Sequence, residues 1–499
     1  MSLKDIFKKL LGGAKAQESS KSSNDIFEEK SVFEETPSTT PVDKKVPKKK
    51  FYSGSETQFD EVGDSNLQLY IGLDFGTAFT KVVVSDSLKN YAVPLTDNER
   101  DEKYLLPTSF SESNAICSLN ESSGVVHNNL KMALINGELS DHALTNAAIY
   151  LALVFRKIRS YILNEKQSLF QGNRFIWLIN VGLPTEGYAN KKINKAYSLI
   201  VSSAWDASTA SGEITRPLVE KCIKLKKQGN SSDQSLADDA VGLIPEFVAQ
   251  VTGYVRSPRR QSDLHMLIDI GAGTLDATTF NVHEKEGEDR FPIFAKAVAS
   301  LGTRFLVKSR IETYLDLKED GVLSPFSPVP SKKIFSKLLK VSLDGLSQMD
   351  ASFRKKVSDV INQIQSDTKQ PGKYPESRRW DEGLPVFLCG GGAEVDFYQE
   401  SIFGHKNSKL IKMHLPKPDA LEAPDLLPAN YSRLSVAYGL SFDHFDIGEI
   451  IKEDEIQKYN NDPVLATGNS SPVCPSCSGN GGLHRTCNRC GGSGFLNAG

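Results

Sequence analysis

The chain lacks several features that mark common classes of protein. Its 499 residues carry a net charge of only −3, so it has no excess of positive charge for binding nucleic acid. No uninterrupted apolar run approaches the roughly 18 residues of a membrane-spanning helix, and the N-terminus has no apolar segment typical of a signal peptide. We therefore expect a cytoplasmic globular protein with reduced thiols and roughly three domains, as the length suggests.

The first 66 residues have few aliphatic side chains. Residues 17–64 are rich in Ser, Lys, Glu, Thr and Pro, and such a segment cannot bury enough apolar surface to offset the entropy lost on ordering. We expect residues 1–66 to be disordered except for a short amphipathic helix at 2–11 (SLKDIFKKLL), whose apolar residues share one face. This helix could contact a membrane surface or a partner protein, or it could fray without a role.

Two distant segments share one pattern: an apolar strand, an Asp, a Gly-rich turn with a Thr, and a second strand. They are residues 69–85 (LYIGLDFGTAFTKVVVS) and 266–282 (MLIDIGAGTLDATTFNV). Their separation is too long for a solenoid repeat and fits two copies of one domain.

The turns have the chemistry of a nucleotide site. Their glycines would let backbone N–H groups approach phosphate oxygens; these are Gly76, Gly271 and Gly273. Thr77 and Thr274 would add hydroxyl donors, and Asp74 and Asp269 could hold hydrated Mg²⁺. One such turn is common, whereas two that clamp the same phosphate chain would be much more specific.

A third segment, residues 385–394 (PVFLCGGGAE), is a short apolar strand that runs into three glycines. Gly390, Gly391 and Gly392 would let the backbone pack flat against an adenine or a ribose. Alone, the segment could be an ordinary strand-to-helix loop. Its place after the second hairpin favours a nucleotide-binding role.

In this order the segments resemble the motifs of the actin-like ATPase superfamily, which includes actin, DnaK-type chaperone ATPases, bacterial segregation filaments and sugar kinases. The motifs are phosphate-1 (74–77), connect-1 (242–253, GLIPEFVAQVTG), phosphate-2 (269–276), adenosine (388–394) and connect-2 (434–440, LSVAYGL). The resemblance covers roughly residues 67–448 and is closest to the DnaK type. It implies an α/β protein with a duplicated, ribonuclease H-like, two-lobed fold: lobe I at 67–262, lobe II at 263–436, and a helix returning to lobe I at 437–448.

The resemblance also implies roles for individual residues. Glu246 would orient the attacking water, although a Glu in the first turn of a helix can also serve only to stabilise the helix dipole. Asp269 would bind Mg²⁺ through water and accept a proton from the attacking water, and Asp74 would bind Mg²⁺ from the other side. Lys81 matches the phosphate-contacting lysine of actin, whereas Lys131 could match the lysine that DnaK-type ATPases use instead.

Further positions belong to the same pattern. Gly302 (in SLGTRF) would contact the nucleotide, although Thr303 and Arg304 replace the second glycine and the acidic residue of the chaperone ATPases. We expect Pro245 to be the first residue of the connect-1 helix. Small residues, such as Gly439, would let the connect-1 and connect-2 helices cross closely.

After an expected linker at 449–471, residues 472–495 contain two C-x-x-C-x-G-x-G repeats. Their thiolates suit one tetrahedral Zn²⁺ site; they are Cys474, Cys477, Cys487 and Cys490. The repeats resemble the zinc domain of DnaJ co-chaperones and imply a small zinc hairpin, which could bind a partner or client protein of unknown identity or could simply cap the chain. Redox chemistry is the alternative for a single pair.

Two functions remain open from the sequence, and a sugar kinase is a third, weaker option because no set of residues typical of a sugar pocket is visible. The first is an ATP-binding and ATP-hydrolysing, DnaK-like protein that acts as a nucleotide-switched chaperone or regulator. The second is an actin-like ATPase that forms filaments or is tethered to a membrane, which Lys81 and the helix at 2–11 favour.

Overall fold

A computed structural model describes most of the chain between residues 62 and 456. The described ranges are 62–119, 124–184, 190–231, 234–285, 288–315, 329–404, 409–443, 447, 449–451 and 455–456. The expected tail helix at 2–11 and the cysteine-rich segment 472–495 lie outside these ranges. The described part is a mixed α/β structure with several sheets, and none of its helices is long and apolar enough to cross a lipid bilayer.

The described ranges contain the following strands and α-helices. The strands are β1 (Val62–Phe75), β2 (Phe79–Ser85), β3 (Asn90–Ala92), β4 (Leu106–Pro107), β5 (Phe110–Ser113), β6 (Ile116–Ser118), β7 (Val125–His127), β8 (Gly172–Leu183), β9 (Val241–Pro245), β10 (Leu264–Ile270), β11 (Leu275–Asn281), β12 (His283–Lys285), β13 (Glu288–Ala299), β14 (Leu384–Cys389), β15 (Leu410–Met413), β16 (Leu421–Glu422) and β17 (Glu449–Ile451). The α-helices are α1 (Leu130–Ile135), α2 (Asp141–Ser160), α3 (Gln167–Phe170), α4 (Lys191–Thr209), α5 (Arg216–Lys227), α6 (Glu246–Val255), α7 (Thr303–Leu315), α8 (Lys332–Leu339), α9 (Leu343–Met349), α10 (Ala351–Thr368), α11 (Arg379–Glu382), α12 (Asp396–Phe403) and α13 (Ser435–Leu440).

The first large sheet is built around β1. This strand pairs antiparallel with β2 and parallel with β8, and the sheet order is β16-β3-β2-β1-β8-β9, with β4 also on β2. Leu69, Ile71 and Leu73 of β1 are buried, as is Tyr70 between them. A strand covered on both faces is what its continuous apolar run predicts.

The second large sheet has the same strand order and directions around β10. This strand pairs antiparallel with β11 and parallel with β14; β13 follows β11 antiparallel, and β15 follows β14 parallel. The acidic residues occupy equivalent places, since Asp74 lies opposite Lys81 in the first hairpin and Asp269 lies opposite Asp276 in the second. A small third sheet, β6-β5-β7, lies outside both.

An apolar cluster joins the two large sheets. It contains Val83 of the first sheet, Leu267 of the second, Phe247 of α6 and Leu440 of α13. The helices α6 and α13 therefore fill the space between the sheets. This burial fixes where α6 begins, and the residue at that position belongs to the site described below.

Three boundaries differ from those expected. β1 begins at Val62, inside the tail expected over 1–66. β16 pairs with β3 of the first sheet, although we expected the chain to return to the first lobe only at 437. β17 lies in the expected linker at 449–471, yet it pairs in parallel with β13 and buries Ile451. The two late strands are short, and their pairing depends on partners far away in the chain, so local periodicity does not reveal them.

The crossing of α6 and α13 predicts a strong effect of substitution at Gly439. A Cβ atom on Gly439 would lie 1.8 Å from the Ala249 carbonyl oxygen, so any side chain must push the two backbones apart. We expect Gly439→Val to lower the free energy of unfolding by about 3 kcal/mol, the upper end of the usual cost of overpacking, measured by urea denaturation. Gly391→Ala is the control, because no described atom lies within 4 Å of a Cβ there. Equal stability of the two variants would contradict the close crossing.

Candidate functional site

The first turn joins β1 to β2 and is built around Asp74. This side chain is buried, and Nζ of Lys81 lies 2.8 Å from its Oδ2. A Cβ on Gly76 would lie 2.3 Å from the Phe79 carbonyl oxygen, so only glycine allows the turn to close in this way. The turn thus brings together three residues expected to bind the cofactor, Gly76, Thr77 and Lys81, with Asp74.

The second turn joins β10 to β11 and is held by the chain that enters α7. Three N–H groups of that chain donate to carbonyls of the turn: Gly302 to Gly273 (3.2 Å), Thr303 to Gly271 (3.0 Å) and Arg304 to Ala272 (2.9 Å). A Cβ on Gly302 would lie 2.6 Å from the carbonyl carbon of Gly273, so this contact also needs glycine. Within the turn, Gly271 donates its N–H to the Thr274 carbonyl at 2.9 Å.

The two turns face each other. A Cβ on Gly273 would lie 3.9 Å from Cγ2 of Thr77 and 3.4 Å from Sδ of Met132. Met132 belongs to α1, so the hairpins of both large sheets and this short helix meet at one place. The sequence predicted both turns, but their meeting is a tertiary contact.

The three glycines after β14 lie against the second turn. Gly390 has a φ of +78°, and a Cβ there would lie 2.2 Å from Oδ1 of Asp269. Gly392 donates its N–H to the Ile270 carbonyl at 2.8 Å. Gly391, by contrast, faces open space within the described part of the chain. The segment therefore approaches Asp269 closely and leaves room beside its middle residue.

Glu246 is the first residue of α6 and forms an ion pair with Lys131 of α1. Lys131 is buried, and burial alone would lower its pKa, but Glu246, Tyr197 and Asp74 outweigh burial and raise it. The expectation that Pro245 is the first residue of this helix is wrong. Its backbone is extended, so it ends β9 and precedes the helix.

Gln250, one turn further along α6, contacts Asp269. Its Nε2 donates a hydrogen bond to Oδ2 of Asp269 at 2.8 Å. Burial raises the pKa of Asp269 to about 6; Gln250 and Lys81 act against this rise, and Glu246 adds to it. Gln250 was not among the residues expected from the sequence, although an amide within an apolar helix segment (FVAQVTG) is a signal of a buried polar contact.

Asp276 faces Asp269 across the second hairpin and was not singled out from the sequence either. Its Oδ1 is buried and has no hydrogen-bond partner among the described residues. Burial, together with Asp269 and Glu246, raises the pKa of Asp276 to about 8. A buried carboxyl oxygen without a hydrogen-bond partner lowers the stability of the folded state. Oδ1 of Asp276 has this effect beside the second turn.

The donor set fits a hydrated divalent cation better than a directly ligated metal. Within the described ranges, no three His, Cys, Asp or Glu side chains converge to form a direct metal site. Asp74 and Asp269 instead lie at equivalent strand ends beside two turns that face each other. Mg²⁺ keeps several of its waters when it binds proteins, which such an arrangement accommodates. The four cysteines expected to bind zinc lie outside the described residues.

A cavity of about 760 Å³ lies elsewhere, beside the small third sheet. Its charged groups largely pair with each other. Arg216 binds Glu112 through two nitrogen atoms, and Lys227 contacts Asp141 at 2.6 Å. Two of the cations that line the cavity are therefore already paired with carboxylates.

The raised pKa of Asp276 predicts a pH-dependent stability. The unfolded carboxyl loses its proton near pH 3.8 and the folded one near 8, so the folded state holds an extra proton in between. The wild-type protein should therefore lose stability relative to Asp276→Asn as the pH rises from 4 to 8, by up to about 1.4 kcal/mol per pH unit.

Urea unfolding at pH 4.5, 6 and 8 measures this difference. Asp381→Asn serves as the control, because the Asp381 side chain is 93% exposed and its removal should not change the pH dependence. If the stability of the wild type and of Asp276→Asn depends on pH in the same way, the pKa of Asp276 is not raised in the folded state.

A comparison of the chain with models of protein families gives no match, and a comparison with curated proteins gives none either.

Proposed function

We propose that the chain is an ATP-binding and ATP-hydrolysing protein of the actin-like superfamily, whose two lobes enclose the nucleotide. The observation that carries this proposal is the meeting of two Gly-rich turns, where Thr77 lies opposite Gly273 and each preceding strand supplies an aspartate. The repeated strand order of the two large sheets supports the duplicated, two-lobed fold.

The residues of the turns would hold the phosphates. Backbone N–H groups of both turns, with the hydroxyls of Thr77 and Thr274, are suitable donors to phosphate oxygens. Asp74 and Asp269 would hold Mg²⁺ through its waters, and the ion, when bound, would neutralise phosphate charge. The open space beside Gly391 suits the flat face of an adenosine.

Hydrolysis would depend on two carboxylates with different environments. The ion pair with Lys131 holds Glu246 in one orientation, from which it can position a water molecule. With a pKa of about 6, Asp269 is mostly ionised at neutral pH and can accept a proton from that water. Gln250 keeps the Asp269 carboxylate oriented through its hydrogen bond.

We further propose that the protein acts as a cytoplasmic, nucleotide-switched chaperone-like or regulatory protein, with a zinc module that binds a protein partner. The two C-x-x-C-x-G-x-G repeats support the zinc module. A filament-forming ATPase is the second candidate, and the contact of Lys81 with Asp74, in the position of actin's phosphate-contacting lysine, favours it. Sedimentation that depends on ATP would distinguish the second candidate from the first.

The proposed role of Glu246 predicts a separation of binding from hydrolysis. Glu246→Gln preserves shape but removes the carboxylate, so hydrolysis should slow at least about 100-fold while ATP affinity changes little. Asp74→Ala and Asp269→Ala should instead weaken the Mg²⁺-dependent binding of ATP. Phosphate release and equilibrium binding measure the two effects.

Glu376→Gln is the matched control, because Glu376 is exposed and far from the turns in the chain. Because Glu246→Gln leaves the buried Lys131 without its anionic partner, the double variant with Lys131→Met should be tested as well. Normal hydrolysis in the folded single variant would leave Glu246 as a structural partner of Lys131 only.

The cysteine repeats predict about one zinc ion per chain, since four thiolates form one tetrahedral site. Metal analysis of the protein purified under reducing conditions measures this ratio. Cys474→Ser and Cys487→Ser should each lower the zinc content, whereas Cys117→Ser should not, because Cys117 is an isolated buried thiol. Absence of zinc from the wild-type protein, also after incubation with Zn²⁺, would refute the module.

A further inference from the structure

Arg304 is fixed directly behind the second turn. Its N–H donates to the Ala272 carbonyl at 2.9 Å, two residues after the N–H of Gly302 donates to Gly273. A Cβ on Gly302 would lie 2.7 Å from the carbonyl carbon of Ala272, so the segment packs on the turn without a gap. The position of the Arg304 backbone is therefore tied to the turn that we propose holds phosphate.

The guanidinium of Arg304 has a weak partner. Its Nη1 donates to Oδ1 of Asn129 across 3.4 Å, and within the described ranges no carboxylate pairs with it. An arginine carries five N–H donors, so one neutral amide oxygen leaves most of them unused. A half-buried guanidinium in this condition is well suited to bind an anion.

The location of Asn129 indicates which part of an anion Arg304 would reach. Asn129 directly precedes α1, and Lys131, two residues later, pairs with Glu246. Arg304 thus contacts the residue that precedes α1, and the proposed water-positioning carboxylate contacts Lys131 in the first turn of the same helix. The phosphate that is attacked by such a water is the terminal one.

We propose that Arg304 releases Asn129 and binds the terminal phosphate of a nucleoside triphosphate. In this way it distinguishes a triphosphate from a diphosphate. This inference rests on the proposed nucleotide site. A guanidinium forms paired, charge-assisted hydrogen bonds with phosphate that are roughly twice as strong as those with a neutral acceptor. Arg304 thereby determines nucleotide specificity, at a position where the chaperone ATPases that the sequence resembles carry an acidic residue.

Calorimetric titration of the full chain tests the proposal, with Mg²⁺-ADP and with Mg²⁺ and a non-hydrolysable ATP analogue. Arg304→Gln should raise the Kd of the triphosphate at least about tenfold and that of ADP less than about twofold. Arg304→Lys, which keeps the charge but loses the planar fork, should lose less affinity for the triphosphate. Asn129→Ala should not weaken the triphosphate, because it removes only the competing partner.

Arg378→Gln is the matched control, since Arg378 is exposed and its loss changes the net charge equally. Equal weakening of both nucleotides by Arg304→Gln, or no change in either, would overturn the role of Arg304. If circular dichroism shows that Arg304→Gln does not fold, Arg304→Lys provides the test. The role of Arg304 is then overturned if the ratio of the Kd values for ADP and the triphosphate is the same in Arg304→Lys as in the wild type. Failure of the wild-type chain to bind either nucleotide would refute the proposed site itself, which the wild-type titration reports separately.

Discussion

The charge balance where the two turns meet is the constraint on which the site depends. Four carboxylates interact electrostatically there: Asp74, Glu246, Asp269 and Asp276. Lys81 pairs with Asp74 and Lys131 pairs with Glu246, so only these two carboxylates are neutralised. Asp269 accepts a hydrogen bond from the neutral amide of Gln250, and Oδ1 of Asp276 has no hydrogen-bond partner among the described residues. Burial is the main cause of the raised pKa values of Asp269 and Asp276, and the neighbouring carboxylates add to it. An anionic phosphate chain can enter such a site only together with a cation, which is why magnesium and nucleotide belong to one proposal.

The helix α6 links this chemistry to the packing between the sheets. Glu246 and Gln250 are four residues apart, so they share one face of the helix, where they meet Lys131 and Asp269. Between them, the carbonyl of Ala249 touches the position of Gly439 on α13. The two helix backbones are in direct contact there, because Gly439 places no side chain between them.

Local sequence patterns predicted the elements of the site better than its contacts. The Asp, Gly and Thr pattern of each hairpin identified both turns, since the conformation of a turn is encoded by its own few residues. The sequence did not predict the roles of Gln250 and Asp276, because both roles depend on burial next to Asp269, which is a result of tertiary packing. β16 and β17 were not predicted for a related reason, since strands this short are defined only by the sheet they join. The sequence suggested Lys131 as a candidate, but only the fold shows that it pairs with Glu246.

If both turns hold one magnesium nucleotide, as we propose, amide hydrogen exchange will detect it at both turns in one experiment. The N–H groups of residues 77–78 and 272–274 would be followed while Mg²⁺-ATP is added to the full chain. Both turns should become protected over the same range of nucleotide concentration, and neither should be protected in Asp269→Ala. Protection of only one turn, or of neither turn at saturating nucleotide, would contradict the binding of one nucleotide by both turns.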